Sequence, residues 1–522
     1  MKLSRRALLT ASLGAGQLAL LQRFGLIRDA RADTAGPSRL LVLYLQGGTR
    51  FHTFFCPLSD ADISRYIPRP TDALGEPVFF KPSQMIDLAP ASSSFQPLRV
   101  ARLWDPADPG SRADGHTPMG YTWQHYNLAG STAVLHGIDH GSFAHASGYV
   151  SSMCGIPGET YRAPAMVSVV ANHFLQTYAN SRPLPCVAIR PEGIPSSLSL
   201  PSSASPCLVP DLDSLTSVFS GDGARVADWK KHDARSSTPL PPFGGSGDPV
   251  NVGLTDVDAY VFERTRALGG RSSAGNDTVL EQLYSGYRAV STTLAKDVVS
   301  AVEKTNAFDS PIPPHLDKSF KRLDFTFGLA NGRISMSKSL EWTLRVLKSG
   351  IATSVYAFLP EVYYDFHNGS SWGRATASVR VQLDMVAQII GEMQATPSPD
   401  RPGKSLYDDT LVVVTSEFGR TWAVGPNQDS DTGWDFGDDH NPITSVVLSG
   451  AGIQGNRQIG GFDQRGTTGL PVAIREETGE STSRLPRSAD AMTTIYRTFG
   501  MQPGNDFFLP GGYGEILGVA PA

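Results

Sequence analysis

The sequence predicts an α/β fold, with a mainly parallel central sheet, helices on both faces and a long loop-rich insertion. Three observations lead there. Apolar runs such as RLLVLYLQ (Arg39 to Gln46) and TLVVVT (Thr410 to Thr415) are continuous rather than alternating, as in strands covered on both faces. The second half of the chain alternates strand-like and helix-like stretches with short joints, which implies right-handed parallel crossovers. The 52 glycines and 38 prolines suit ordered loops around a sheet better than a helical bundle.

Taken in order, the first segment stands apart. Ser4-Arg5-Arg6-Ala7-Leu8-Leu9 opens a weakly apolar stretch, and Ala30-Arg31-Ala32 supplies a small-x-small cleavage site before Asp33. Residues 1–32 therefore read as a bacterial export signal of the twin-arginine type, and the expected location is the periplasm or outside the cell. Residues 38–522 remain as one α/β domain. RLLVLYLQ is its first strand, ending at Gly47-Gly48. STAVLH (Ser131 to His136) runs into HGIDHGSFAH, with His136, His140 and His145. Residues 164–179 read as a helix and 187–189 as a strand. From about 191 to 256 the composition shifts to Ser, Pro, Gly and Asp, too long and too rich in breakers for an ordinary connection. Helical patterns return over 279–305 and 335–348. Then follow a strand at 351–359, a helix at 375–393, strands at 410–415 and 443–449, and a last helix at 489–498.

The net charge of -5 gives no electrostatic footprint for nucleic acid or acidic lipid. No long apolar span follows the leader, so no transmembrane segment is expected in the mature chain. No G-x-G-x-x-G stands after a strand, so no nucleotide cofactor is expected and an oxidoreductase is disfavoured. Four cysteines, Cys56, Cys154, Cys186 and Cys207, fit an exported protein. Cys186 and Cys207 flank a Pro/Ser-rich loop and are the best disulfide candidates, with Cys56 and Cys154 left for each other; sequence does not choose among the three connectivities.

In open parallel sheets ligands gather at the carboxyl ends of strands, and three such ends carry suitable groups. PEVYYDFHNG brings Asp365 and His367; SEFGRT brings Ser416, Glu417 and Arg420; GDDHNP brings Asp438, Asp439 and His440. Such an oxygen and nitrogen set suits zinc, calcium, magnesium or manganese. Asp365, His367, Glu417, Asp439 and His440 are the expected metal ligands. His136, His140 and His145 with Asp139 form a second cluster. Arg420 is open to two readings, a fork for an anion's oxygens or an ion pair with Glu417, Asp438 or Asp439.

VVVTSEFGRT followed by DDHNP, with the earlier YDFH, resembles the secreted bacterial family called domain of unknown function 1501, related to the alkaline phosphatase and sulfatase superfamily. LHGIDHGSFAHASGYVSSMCG and TTIYRTFGMQPG resemble further segments of that family. The resemblance implies an alkaline-phosphatase-like fold and hydrolysis of a phosphate or sulfate ester, small or borne on a polymer. It implies a hydroxyl nucleophile at the start of a helix, for which Ser142, Ser147 and Thr49 are candidates, and Arg50 or Arg420 as anion holders. The chain departs from the superfamily pattern at two points. Phe418 stands where active enzymes place a histidine, and Thr49 and Arg50 follow Gly47-Gly48 where an acidic residue is usual. These departures favour an alternative, a non-catalytic cell-envelope binding protein on the same scaffold. The sequence names no protein partner.

Overall fold

The computed structural model describes residues 36–51, 54–55, 85–90, 95–101, 121–156, 163–178, 330–359, 372–420, 440–463 and 486–504, with shorter pieces around 182–189, 200–209, 301–310, 321, 472–473 and 506–519. The export signal, most of the 191–256 excursion, residues 279–300, Cys56, Asp365, His367, Asp438 and Asp439 lie outside the described residues.

In chain order the elements begin with β1 (Arg39–Leu45), β2 (Met85–Asp87), β3 (Arg99–Ala101) and α1 (Tyr121–His125). Next come β4 (Thr132–Asp139), α2 (His145–Cys154), α3 (Met166–Tyr178), β5 (Cys186–Ile189) and β6 (Cys207–Val209). The second half holds α4 (Ala330–Lys348), β7 (Ser354–Leu359), α5 (Trp372–Ala395) and β8 (Thr410–Thr415). After these come β9 (Gly419–Arg420), β10 (His440–Asn441), β11 (Ile443–Gly450), β12 (Arg457–Ile459), β13 (Phe462–Asp463), β14 (Val472–Ala473) and α6 (Ser488–Thr498). Eight strands form one sheet in the order β12-β4-β11-β8-β1-β7-β5-β6.

The continuous apolar runs act as central strands because both of their faces are covered. Along β1, Leu41, Leu43 and Leu45 enter one core while Leu40, Val42 and Tyr44 enter the other. β8 splits the same way, Val412 and Val414 against Leu411 and Val413, as the two-residue period of a strand requires. Residues of α4 and α5 complete the first core, and residues of α2, α3 and α6 the second. The result is a three-layer arrangement of helices, sheet and helices.

β1 pairs in parallel with both β7 and β8, and β5 in parallel with β7 and β6. Two observations amend the expected pattern. β11 runs antiparallel to both β8 and β4: the chain leaves β8 through the antiparallel β9–β10 ribbon and returns, and an antiparallel neighbour needs no crossover helix. Within the loop-rich excursion, Cys207–Val209 adds an edge strand to β5; a short edge tolerates flanking breakers that a central strand would not.

The expected Cys186–Cys207 bridge is not formed; both, with Cys154, are free thiols. Cys207 is in register with Val187, the residue after Cys186. Consecutive residues point to opposite faces, so Cys207 packs on the core of Val187 while Cys186 sits in the core of Ala188. Cysteines directed to opposite sides of a sheet cannot be bridged without moving backbone. Burial pushes the Cys154 thiol up to about 12.

The amino-terminal edge of the sheet is tied by ions. Buried Arg39 donates to Asp400 and to the Leu347 and Ala352 carbonyls. Asp409, fully buried, accepts from Ser38 at 2.7 Å and Ser398 at 2.8 Å and pairs with Arg401 at 3.1 Å. Among the described residues no helix is long and apolar enough to cross a membrane.

Candidate functional site

The opposite, carboxyl edge is where β1 and β8 end side by side, Tyr44 in register with Thr415. Beyond β1 the chain turns through Gly47 and Gly48, at φ 100° and 77°, a left-handed backbone that glycine adopts without strain. Gly48 is required twice over, since a Cβ there would lie 2.4 Å from the Phe418 ring and 2.8 Å from Arg420 Nε.

Beyond β8, Glu417 is only 1% exposed. Oε1 accepts from Gly47 N–H at 2.7 Å and pairs with His145 Nδ1 at 2.9 Å. Oε2 accepts from the Tyr44 hydroxyl at 2.8 Å and from Ser416 Oγ at 3.0 Å. Burial pushes its pKa up, but the bonds from His145, from the backbone N–H groups of Glu417 and Gly47 and from Tyr44 outweigh it, leaving the carboxyl below its ordinary value. Glu417 is therefore an ionised acceptor, and His145 Nδ1 carries the proton it shares. Burial and the Glu417 charge together hold the Tyr44 phenol well above its usual range.

Helix α2 delivers His145. It approaches the strand end so closely that a Cβ on Gly148 would stand 2.5 Å from the Glu417 carbonyl oxygen. The imidazole of His145 is 42% exposed on its outer side. His440, on β10, donates Nδ1–H to the Phe143 carbonyl at 2.5 Å. The two imidazole centres are 4.7 Å apart at 82°, and Phe418 stacks on His440 at 4.2 Å while touching His145 at 4.8 Å.

The other candidates fall as follows. Ser142 and Ser147 are nearly buried and hydrogen-bonded to each other. Ser142 Oγ also accepts from Ala144 N–H at 3.1 Å, so the pair shapes the first turn of α2. Thr49 N–H donates to Ser416 Oγ at 3.0 Å. Arg50 is buried. Arg420, also buried, donates through Nε and Nη2 to the Gly47 carbonyl at 3.1 and 2.6 Å and lies 5.5 Å from the Phe418 ring centre. Asp365, His367 and Asp439 lie outside the described residues.

The second histidine cluster is divided by the fold. His136 bridges Ser445 and Gln458 at 2.9 Å each, and burial pushes it down to about 4. His140 is also pushed down to about 4 by burial, against hydrogen bonds with the Gly148 and Glu417 backbone. Of the three, His145 is the one paired with the Glu417 carboxylate. Sequence reading overlooked Tyr44 and the Gly47 amide as partners of Glu417. A tyrosine near the end of an otherwise aliphatic run is the one signal that pointed to the first. Among the described residues, no group of three or more His, Cys, Asp or Glu side chains is arranged to hold a metal ion.

Residues 402–500 match the family described as "Protein of unknown function (DUF1501)". That segment contains β8, Glu417, Phe418, Arg420, His440 and β11. Comparison with curated proteins yields no match. Among solved structures, the alkaline phosphatase from the Antarctic bacterium TAB5 is 11% identical over 80% of this chain and 92% of its own, at a TM-score of 0.28. A histidine-to-aspartate mutant of the TAB5 enzyme, with Mg bound in its M3 site, is 14% identical over the same shares at a TM-score of 0.26. At such scores neither structure bears on residue roles in this chain.

Proposed function

We propose that this is an exported hydrolase-like protein acting on a phosphate or sulfate ester at the carboxyl edge of its sheet. The observation that supports this reading is the Glu417–His145 pair, a buried ionised carboxylate orienting a half-exposed imidazole. A carboxylate on Nδ1 fixes the tautomer and leaves Nε2 as the basic nitrogen, the arrangement used to take a proton from an attacking hydroxyl or water. Arg420, held on the Gly47 carbonyl next to the Gly47 amide that Glu417 accepts, adds a guanidinium charge near the pair, suited to an anionic ester. A bound divalent metal would add Lewis acidity and lower the pKa of the attacking oxygen.

A second reading rests on Phe418 and the serines. An apolar ring occupies the centre of the site, and Ser142 and Ser147 are engaged with each other rather than with His145. A protein that only binds an anionic ligand would have the same arrangement. One experiment separates the two. Full-length protein recovered from the periplasmic fraction, which also checks export, is assayed on aryl phosphates and aryl sulfates with zinc, calcium or manganese. Hydrolysis that falls at least ~100-fold in His145→Ala supports the enzyme. No turnover on any ester would leave the binding protein.

A further inference from the structure

His140 follows β4, and its backbone N–H is fixed on the Pro442 carbonyl at 2.8 Å. Its side chain is 1% exposed and hydrogen-bonds with the backbone of Gly148 on α2 and of Glu417 beyond β8. Both bonds favour the protonated ring, as bonds given to carbonyl oxygens do. Nδ1 has no hydrogen-bond partner among the described residues. Nε2 is then the donor, and in the neutral ring Nδ1 keeps its lone pair. A nitrogen buried this deeply without a partner is rare and costly.

His140 also lines a cavity of about 10 Å³, enclosed by β8, β11, α2, α3 and α6. That is room for one water molecule. Most of the wall is apolar, but His140, Ser152, Thr415 and Ser488 bring polar groups to it, and all four are buried. Their hydroxyls keep bonding capacity. Ser152 donates to the Tyr149 carbonyl at 2.9 Å and Ser488 bonds Ser151 at 3.0 Å, which leaves a lone pair on each. Thr415 Oγ1 has a long bond of 3.4 Å to the Ser416 carbonyl. Buried waters typically make about three hydrogen bonds to such groups. We infer that this cavity binds one ordered water, which donates to His140 Nδ1 and bonds Thr415 and a serine hydroxyl, making His140 a positioning residue for the Glu417–His145 pair. With its lone pair occupied on Nδ1, the ring holds Nε2–H on the Gly148 and Glu417 carbonyls. It thereby ties α2, which carries His145, to the turn that carries Glu417.

This deepens the hydrolase reading, whose site it supports, but neither of its readouts is turnover. A crystal structure of the full-length chain is expected to show one water within about 2.7–3.2 Å of His140 Nδ1; no water there would overturn the assignment. The second readout is the NMR chemical shift of the His145 Nδ1 proton, which reports its bond to Glu417. In His140→Gln the side-chain amide can stand in for Nε2, and in His140→Asn for Nδ1. With folding checked by circular dichroism, His140→Gln is expected to keep the wild-type shift and lose the water. His140→Asn is expected to keep the water and move the shift upfield. An unchanged shift in a folded His140→Asn, or an upfield shift in a folded His140→Gln, would overturn the positioning role. Thr415→Val, nearly equal in shape, serves if neither variant folds: it is expected to lower the occupancy of the water, and full occupancy would overturn the assignment. A chain that behaves as stated yet cleaves no ester would sink the hydrolase reading and leave this one standing.

Discussion

Gly148→Ala tests the packing that brings α2 to Glu417. Gly148 lies inside a helix, where replacing glycine by alanine ordinarily gains about 1 kcal/mol. Here the added methyl would sit 2.5 Å from the Glu417 carbonyl oxygen, against an ordinary contact of 3.4 Å or more. The neighbour is backbone at the end of a central strand, so α2 must retreat by roughly 0.9 Å, the difference between those two distances. Overpacking of this kind costs about 1–3 kcal/mol, which outweighs the propensity gain and predicts a net loss of about 1 kcal/mol. A retreat of that size would also stretch the 2.9 Å His145–Glu417 bond towards 3.8 Å, beyond hydrogen-bonding range. Urea unfolding followed by circular dichroism gives the first quantity, and the NMR chemical shift of the His145 Nδ1 proton the second. Gly130→Ala is the control, since nothing lies within 4 Å of its added Cβ. A Gly148→Ala chain that gains stability and keeps the wild-type shift of the His145 Nδ1 proton would refute the close approach.

Two further predictions concern the scaffold. His136 and His140 are held neutral with pKa values of about 4, below the unfolded value near 6.5, so the stability they contribute is complete above pH 6.5 and is lost as pH falls towards 4. Each is expected to cost about 2 kcal/mol between pH 7.5 and 5; an unfolding free energy flat over that interval would contradict their burial. At the opposite edge, Asp409→Ala strips Ser38, Ser398 and Arg401 of their common acceptor and is expected to cost about 3–5 kcal/mol. A loss under about 1 kcal/mol in urea would mean that water replaces the carboxylate.

The central strands were legible because their burial is written residue by residue. Leu40 to Leu45 and Leu411 to Val414 are apolar at every position, and only a strand covered on two sides demands that. The direction of β11 was not legible. Ile443–Gly450 would present the same residues to the same cores whichever way it ran, and its direction depends on the route from β8 rather than on local pattern. The thiols failed for a related reason. Flanking a loop brings Cys186 and Cys207 near in space, but the one-residue offset in strand register, invisible in the sequence, turns them to opposite faces.

The candidate site divides along the same line. Glu417 could be found because it ends a strand, but its partner His145 is 272 residues away, and no spacing rule links them. Phe418 is more instructive. Read in sequence, it is a lost ligand, a ring standing where superfamily enzymes have an imidazole. In the fold that ring stacks on His440, touches His145 and lies against Gly48, where any larger residue would collide with it. A residue without metal-binding atoms thus helps to fix the orientation of two residues that have them. It packs the turn after β8 against the imidazoles of α2 and β10, whose Nδ1 atoms are held by Glu417 and by the Phe143 carbonyl.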